Sequence, residues 1–385
     1  MVAESDNPRS SPGKLVVVAS HPVQYLSPLF RELSRHIDLV VVYFYRQTPK
    51  GQASAGFSDA FEWDVPLLDG YRNRFVDNRA RTPSLRSFLG TDCPEMSSVL
   101  SDEAPDSVVV FGWNTRAAVQ AIVAARRQRR RVLVRTDSQL GSPRPWWRRI
   151  AKEVPYRILM PHLEYLAAGR RSRDYLKHFG VKPNRVHTLP HSVDATRFAA
   201  GADEAAHVRR ELGVSKDDFV FLYVGKFIAV KRPLQLLHAF LRLIRTVREV
   251  KLVMVGSGPL QAQIELRADG HDDVVLPGFI NQSRLPAVFA MANVLVLPGN
   301  ETWGLVANES LAAGTPVMIS KDAGSYPELV EQARVGWACD STTDGMVSAM
   351  HEAMKSTVPL DRIRSVVEGF SAPTVAQSLM QILSR

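Results

Sequence analysis

Lys14-Leu-Val-Val-Val-Ala-Ser20 is apolar from Leu15 to Ala19, with three consecutive β-branched residues and no polar alternation. A run of that kind is a strand covered on both faces, as in a parallel sheet. Leu26–His36 follows with helical composition, and then a second apolar run, Leu39–Tyr45. Val108-Val-Val-Phe111 and Val132-Leu-Val-Arg135 repeat the theme on either side of Arg116–Arg131, which again reads as helix. Buried strands alternating with helices predict an α/β fold.

The pattern then restarts. Phe219–Val224 reads as a strand, Pro233–Val247 as a helix and Lys251–Val255 as a strand, with further strands at Val274–Leu276, Ala292–Leu297 and Pro316–Ile319. Two α/β units therefore lie in tandem, with the helical pattern breaking near Pro190–Asp203. A chain of 385 residues is too long for one ordinary core and suits two. Arg46–Asp92, rich in Gly, Pro, Arg and Asn, fits neither unit, and long irregular segments in compact domains often carry function.

Composition excludes several classes. Hydrophobic residues at 45% and charged residues at 23% rule out wholesale disorder. Two cysteines, Cys93 and Cys339, cannot form a disulfide framework or a four-thiolate zinc site, and they suit a reducing compartment. The apolar runs are strand length, so no bilayer-spanning helix is expected. Residues 1–13 are polar, lack the apolar core of a signal peptide and are expected to be a disordered tail. These features predict a cytoplasmic protein.

The stretch richest in chemistry is Glu301-Thr-Trp-Gly-Leu-Val-Ala-Asn-Glu309, after the strand that ends at Leu297. Gly304 and the residues after it open a helix, whose free N–H groups suit a phosphate. Glu301 and Glu309 flank that anion site, and carboxylates there suit sugar or ribose hydroxyls rather than the anion. Two glutamates alone would mark no more than an acidic surface helix. The intervening Gly-Leu-Val and the following Ala-Ala-Gly-Thr-Pro-Val argue otherwise. Val224-Gly-Lys-Phe-Ile-Ala-Val-Lys-Arg232 comes directly after a strand. Gly225 is expected to free the backbone for a tight turn. Lys226 and Lys231 bracket a loop at the strand's carboxyl end, where α/β sheets bind ligands.

In this order Gly-Lys…Lys, Gly256-Ser-Gly-Pro259, Leu276-Pro-Gly-Phe279 and Glu-x7-Glu resemble glycosyltransferase family 4, and Leu189-Pro-His-Ser-Val-Asp194 resembles that family's domain junction. The resemblance is specific over residues 186–330. It implies the GT-B architecture, two Rossmann-like domains with parallel sheets facing across a cleft. An acceptor-binding domain would comprise residues 14–192 plus 370–385, with the last helix returning to it, and a nucleotide-sugar domain residues 193–369. The implied activity is retaining transfer of a sugar from a nucleotide diphosphate to an acceptor hydroxyl, in polysaccharide, glycolipid or glycoside synthesis. Lys226 and Lys231 would bind the diphosphate, Glu309 the ribose and Glu301 the donor sugar. Gly304, Leu305 and Val306 would offer amides, and Gly278 and Phe279 would border the base. Two alternatives share the architecture: a nucleotide-sugar epimerase, and a non-catalytic nucleotide-sugar or lipid-binding subunit.

Departures from the family pattern lie in the first half. Ser20-His-Pro-Val-Gln-Tyr25 replaces the usual Gly-Gly turn, and Arg135-Thr-Asp-Ser138 stands where a His is common. Asp137, Arg135 or His21 would take that His's place beside the sugar. No metal site is expected, because lysines and a helix N-terminus already supply positive charge. The net charge of +9 is concentrated: Arg116–Arg173 holds fourteen arginines against Asp137, Glu153 and Glu164. Pro143-Arg-Pro-Trp-Trp-Arg-Arg149 has the composition of an element that meets an anionic membrane, though a solvated helix face explains it equally well. No nucleic-acid-binding motif accompanies it.

Overall fold

The computed structural model describes residues 13–49, 51, 60–141 and 146–385, with the backbone alone over 146–152. The expected tail therefore lies outside the described residues except for Gly13. The first sheet contains β1 (Leu15–Ala19), β2 (Leu39–Tyr43), β3 (Arg72–Phe75), β4 (Ser107–Phe111), β5 (Arg131–Thr136), β6 (Glu164–Ala167) and β7 (Val186–Thr188). It runs β3-β2-β1-β4-β5-β6-β7, every pairing parallel. The second contains β8 (Phe219–Val224), β9 (Val250–Val255), β10 (Val274–Gly278), β11 (Val294–Leu297), β12 (Val317–Ser320) and β13 (Gly336–Cys339). It runs β10-β9-β8-β11-β12-β13, again parallel throughout. Leu15–Ala19 are buried on both faces, as their unbroken apolarity requires. Cys93 and Cys339 are buried and unbridged.

Four short strands escaped the sequence reading, for one physical reason: none carries a run of apolar β-branched residues. Arg72-Asn-Arg-Phe75 is an edge strand, and Arg72 and Arg74 pair with Glu103 at 3.4 and 3.3 Å, charges that deter further strand addition. Two helices stop early. Arg116–Arg127 ends where Arg129 takes φ +57°, and Pro233–Leu243 closes in a turn in which Thr246 N–H donates to the Leu243 carbonyl at 3.0 Å.

Near the C-terminus the chain crosses back. Val193 and Ser371 form a parallel bridge, and the helix Ala372–Leu383 lies on the first sheet. Its Val375, Ala376, Leu379 and Ile382, spaced as one helix face, pack in the core that contains Leu15, Val17 and Leu39. Ser371 caps its start through Thr374 N–H, and the Arg131 guanidinium donates to the Ile382 and Leu383 carbonyls at 2.9 and 3.1 Å, a cation at the negative helix end.

The strand order reverses between β1 and β4, and between β8 and β11, so a crevice opens at the carboxyl ends of each sheet. Bonds across the interface turn the crevices toward each other. Gln139 Nε2 donates to Asn300 Oδ1 at 3.1 Å and to the Glu301 carbonyl at 3.0 Å, and Asn308 Nδ2 donates to the His191 carbonyl at 3.1 Å.

Candidate active site

Two cavities meet between the domains. The larger, about 420 Å³, is lined by Gly225, Lys226, Lys231, Phe279, Glu301, Gly304, Leu305, Val306 and Glu309. The other, about 340 Å³, lies against the ends of β1, β4 and β5 and is lined by His21 and Arg135. Asp137 and Thr302 line both, and Thr302 Oγ1 donates to Asp137 Oδ2 at 3.0 Å. Of the residues expected at the site, Gly278 lines neither. It ends β10 at φ +79°, and its carbonyl accepts from Gly256 N–H at 2.9 Å.

Lys226 follows β8, and Lys231 ends the single turn Ala229–Lys231. Burial lowers the Lys226 pKa from its ordinary value, with the charges of Lys231 and Arg86 adding to the effect and Glu301 opposing it. Lys231 Nζ donates to Glu301 Oε2 at 2.8 Å. Gly225 does not need the backbone freedom expected of it. Its φ lies outside the left-handed region, and a Cβ would make only ordinary contact, 3.4 Å from the Lys231 side chain. Glycine is demanded instead at Gly256 (φ +147°), where a Cβ would lie 1.9 Å from the Gly225 carbonyl oxygen.

Gly304 takes φ +94° ahead of the helix Val306–Ala312. With seven residues that helix has a small dipole, so its contribution to an anion is local N–H donation. Glu309 is buried in it, and its carboxylate accepts no hydrogen bond from a described residue. Burial pushes its pKa up to about 7, against the pull of Arg197 and Lys231. In the folded state this carboxyl keeps its proton above its ordinary range, so its contribution to stability falls as pH rises from 4.5 through about 7. A ligand whose hydroxyls donate to the carboxylate expels that proton. Nucleotide affinity, measured by calorimetry, is therefore expected to rise between about pH 6 and 8, and Glu309→Gln should abolish the part of the rise that the ligand's own phosphate does not produce. An identical pH profile in the variant would remove Glu309 from the site.

On the first domain's side, burial lowers the His21 pKa to about 4, so the ring is neutral near pH 7, and its Nδ1 lies 2.9 Å from Ser20 Oγ. Arg135 is buried in β5. Its Nη1 donates to the Thr136 and Leu166 carbonyls at 3.0 and 3.1 Å, while Nη2 has no partner among the described residues. Burial brings its pKa down to about 10.

Two residues were missed. His191 is buried between Tyr25 and Trp303, its Nε2 3.9 Å from Asp137 Oδ2. Burial and then Arg135 hold its pKa well below the ordinary value. It lies inside the junction run Leu189–Asp194, so its place between the domains was a readable signal. Arg197, which donates to the Gln282 carbonyl at 2.7 Å and to its Oε1 at 3.0 Å, lines a small separate pocket together with Glu309. Nothing in the sequence marked this arginine.

The model of the family glycosyl transferases group 1 matches residues 205–364, the stretch that supplies both lysines and both glutamates. Residues 205–364 form a glycosyltransferase group 1 domain. The chain is 36% identical, over 166 residues, to D-inositol 3-phosphate glycosyltransferase of Geodermatophilus obscurus, a match covering 40% of this chain and 36% of that protein. A longer match, 28% over 264 residues, covers 64% of this chain and 66% of the GDP-mannose-dependent α-(1-6)-phosphatidylinositol monomannoside mannosyltransferase of Mycolicibacterium smegmatis. The chain spans between 36% and 48% of the length of the first three curated relatives it matches. In fold it resembles Anabaena HepE in complex with UDP and glucose, with a TM-score of 0.71 at 17% identity over 97% of this chain and 99% of that one. It also resembles the UDP-GlcNAc 2-epimerase of Methanocaldococcus jannaschii, with a TM-score of 0.62 at 16% identity over 96% and 99%. The architecture is GT-B, with the group 1 domain as its second half. Fold alone does not choose between transferase and epimerase.

Proposed function

We propose that this protein is a glycosyltransferase that moves a sugar from a nucleoside diphosphate to an acceptor hydroxyl, with retention and without a metal ion. One observation supports this above the others: Lys226, Lys231, Glu301 and Glu309 surround one cavity that meets a second at Asp137 and Thr302. The lysines and the amides near Gly304 would hold the diphosphate and stabilise it as it leaves. The second cavity would seat the acceptor, with Asp137 or His21 directing its hydroxyl. In front-face attack the acceptor oxygen bonds to the anomeric carbon as the bond to the phosphate oxygen breaks, and the proton passes to that phosphate. UDP-glucose and GDP-mannose are the donors to try first, with inositol phosphate and malate as acceptors, since relatives and neighbours are named for these.

The test is nucleoside diphosphate release by the full chain, with and without acceptor, in excess EDTA. Release that needs acceptor and survives EDTA is expected. An isomerised nucleotide sugar formed without acceptor would favour the epimerase reading, and loss with EDTA restored by Mg²⁺ would overturn the metal-free mechanism.

A membrane-facing role for the basic half also belongs to this reading. The side chains of Trp146 and Trp147 lie outside the described residues, but the same helix, Trp146–Leu159, exposes Val154, Ile158 and Leu159 at 65%, 60% and 64%. Arg126, Arg127 and Arg129 are exposed on the same domain. A domain that exposes both apolar side chains and cations suits an anionic bilayer. No helix among the described residues is long and apolar enough to cross one. Wild type is expected to sediment with anionic vesicles at low salt and to be released at high salt, and Val154→Ser/Ile158→Ser should not sediment. Wild type ignoring such vesicles would make this an ordinary solvated face.

A further inference from the structure

Within the segment left unexplained in the sequence, Arg46–Asp92, residues 61–64 reach across to the group 1 domain. Its residues 66–71 are tied to the first domain. Ser27 Oγ donates to the Leu67 carbonyl at 2.7 Å, Arg31 Nε to the Asp69 carbonyl at 3.0 Å and Asn73 Nδ2 to the Leu68 carbonyl at 3.0 Å. Residues 61–64, immediately before them, are tied to the other domain. Asn281 Nδ2 donates to the Glu62 carbonyl at 2.7 Å, Ser283 N–H donates to Asp64 Oδ1 at 3.0 Å, and Ser283 Oγ donates to Asp64 Oδ2. The Phe61 ring lies 4.3 Å from that of Phe279, and Trp63 meets Phe61 edge-on at 4.8 Å. Trp63 lines the larger cavity together with Phe279, Ile280 and Lys226.

We propose that Phe61–Asp64 is a clasp through which the first domain completes the nucleotide site of the second, with Trp63 as an aromatic wall for the nucleobase. This deepens the reading of the cavity as a nucleotide-sugar site and rests on it. The chemistry follows from what the clasp adds. The second domain's own loops bring cations and carboxylates for the diphosphate and hydroxyls, and the first domain adds the indole of Trp63 to the lining that holds Phe279. A base is a flat π-surface, and an indole offers it a broad, sequence-tolerant stacking partner. The anchoring bonds of Asp64 and Glu62 are solvent-exposed, so each contributes little net stability by itself. A base held between clasp and domain adds the contact that such anchors lack, so nucleotide binding and clasp docking should reinforce each other.

The test is calorimetric titration of the full chain with UDP, GDP and inorganic diphosphate. Trp63→Ala is expected to weaken the better-bound nucleoside diphosphate roughly tenfold to a hundredfold and to leave inorganic diphosphate unchanged. Trp63→Phe should recover most of the loss. Asp64→Ala, which keeps the indole and removes its anchor, should weaken the nucleotide by a smaller factor, again without touching inorganic diphosphate. Equal loss of both ligands in Trp63→Ala, or an unchanged nucleotide Kd, would overturn the clasp. Wild type that binds no nucleoside diphosphate would overturn the nucleotide-sugar reading and the clasp with it. Wild type that binds while Trp63→Ala is silent overturns the clasp alone.

Discussion

Glu301→Ala is expected to lower sugar transfer about 10²–10³-fold, the scale set by removing one preorganised group beside developing charge. Nucleoside diphosphate binding should stay the same or tighten. The Glu301 carboxylate holds Lys231 Nζ at 2.8 Å, with both side chains less than a fifth exposed. A diphosphate must compete with that carboxylate for the lysine, so truncating Glu301 releases Lys231 to the phosphate while removing the proposed contact to the sugar. Glu309→Ala is the contrast, because its carboxylate sits deeper, beside Arg197, and should weaken free nucleotide and donor alike. Steady-state kinetics and calorimetry on both variants check the division. Equal loss of nucleotide affinity in the two would show that it is wrong.

Lys231→Ala should have the largest effect on binding. Loss of one charge-assisted contact is worth about 1.5–3 kcal/mol, or roughly tenfold to over a hundredfold in Kd. The structure adds to this, because without the lysine Glu301 faces the diphosphate as an unpaired negative charge in a half-buried cavity. The double variant Lys231→Ala/Glu301→Ala is therefore expected to bind the nucleoside diphosphate more tightly than Lys231→Ala alone, a non-additivity that a remote structural effect would not produce. An unchanged Kd in the single variant would remove Lys231 from the site.

The elements legible in the sequence were those whose chemistry is local. Leu15–Ala19 and Phe219–Val224 are strands buried on both faces, and unbroken apolarity announces that without any partner in view. The short strands Arg72–Phe75 and Glu164–Ala167 were not legible, because their pairing comes from a neighbouring strand and not from their own composition. The same division runs through the site. Lys226, Lys231, Glu301 and Glu309 are announced by their places after strands and around a helix start, whereas His191 and Arg197 acquire meaning only from what surrounds them. Gly225 shows the converse: its place was read rightly, but the steric demand falls on Gly256, a contact between loops of adjacent strands.

By itself the sequence determined two tandem α/β units and the cluster of cations and carboxylates at the strand ends of the second, since both follow from periodicity and from residues close along the chain. Only the tertiary structure decided what stands across the cleft: Asp137 bonded to Thr302, residues 165 positions apart, and Phe61 set against Phe279, with Trp63 in the cavity lining, by bonds from Asn281 and Ser283 to residues 219 positions away. Contacts of that separation depend on how two independently formed cores pack and where the chain crosses back between them, and no local pattern of residue types encodes that geometry.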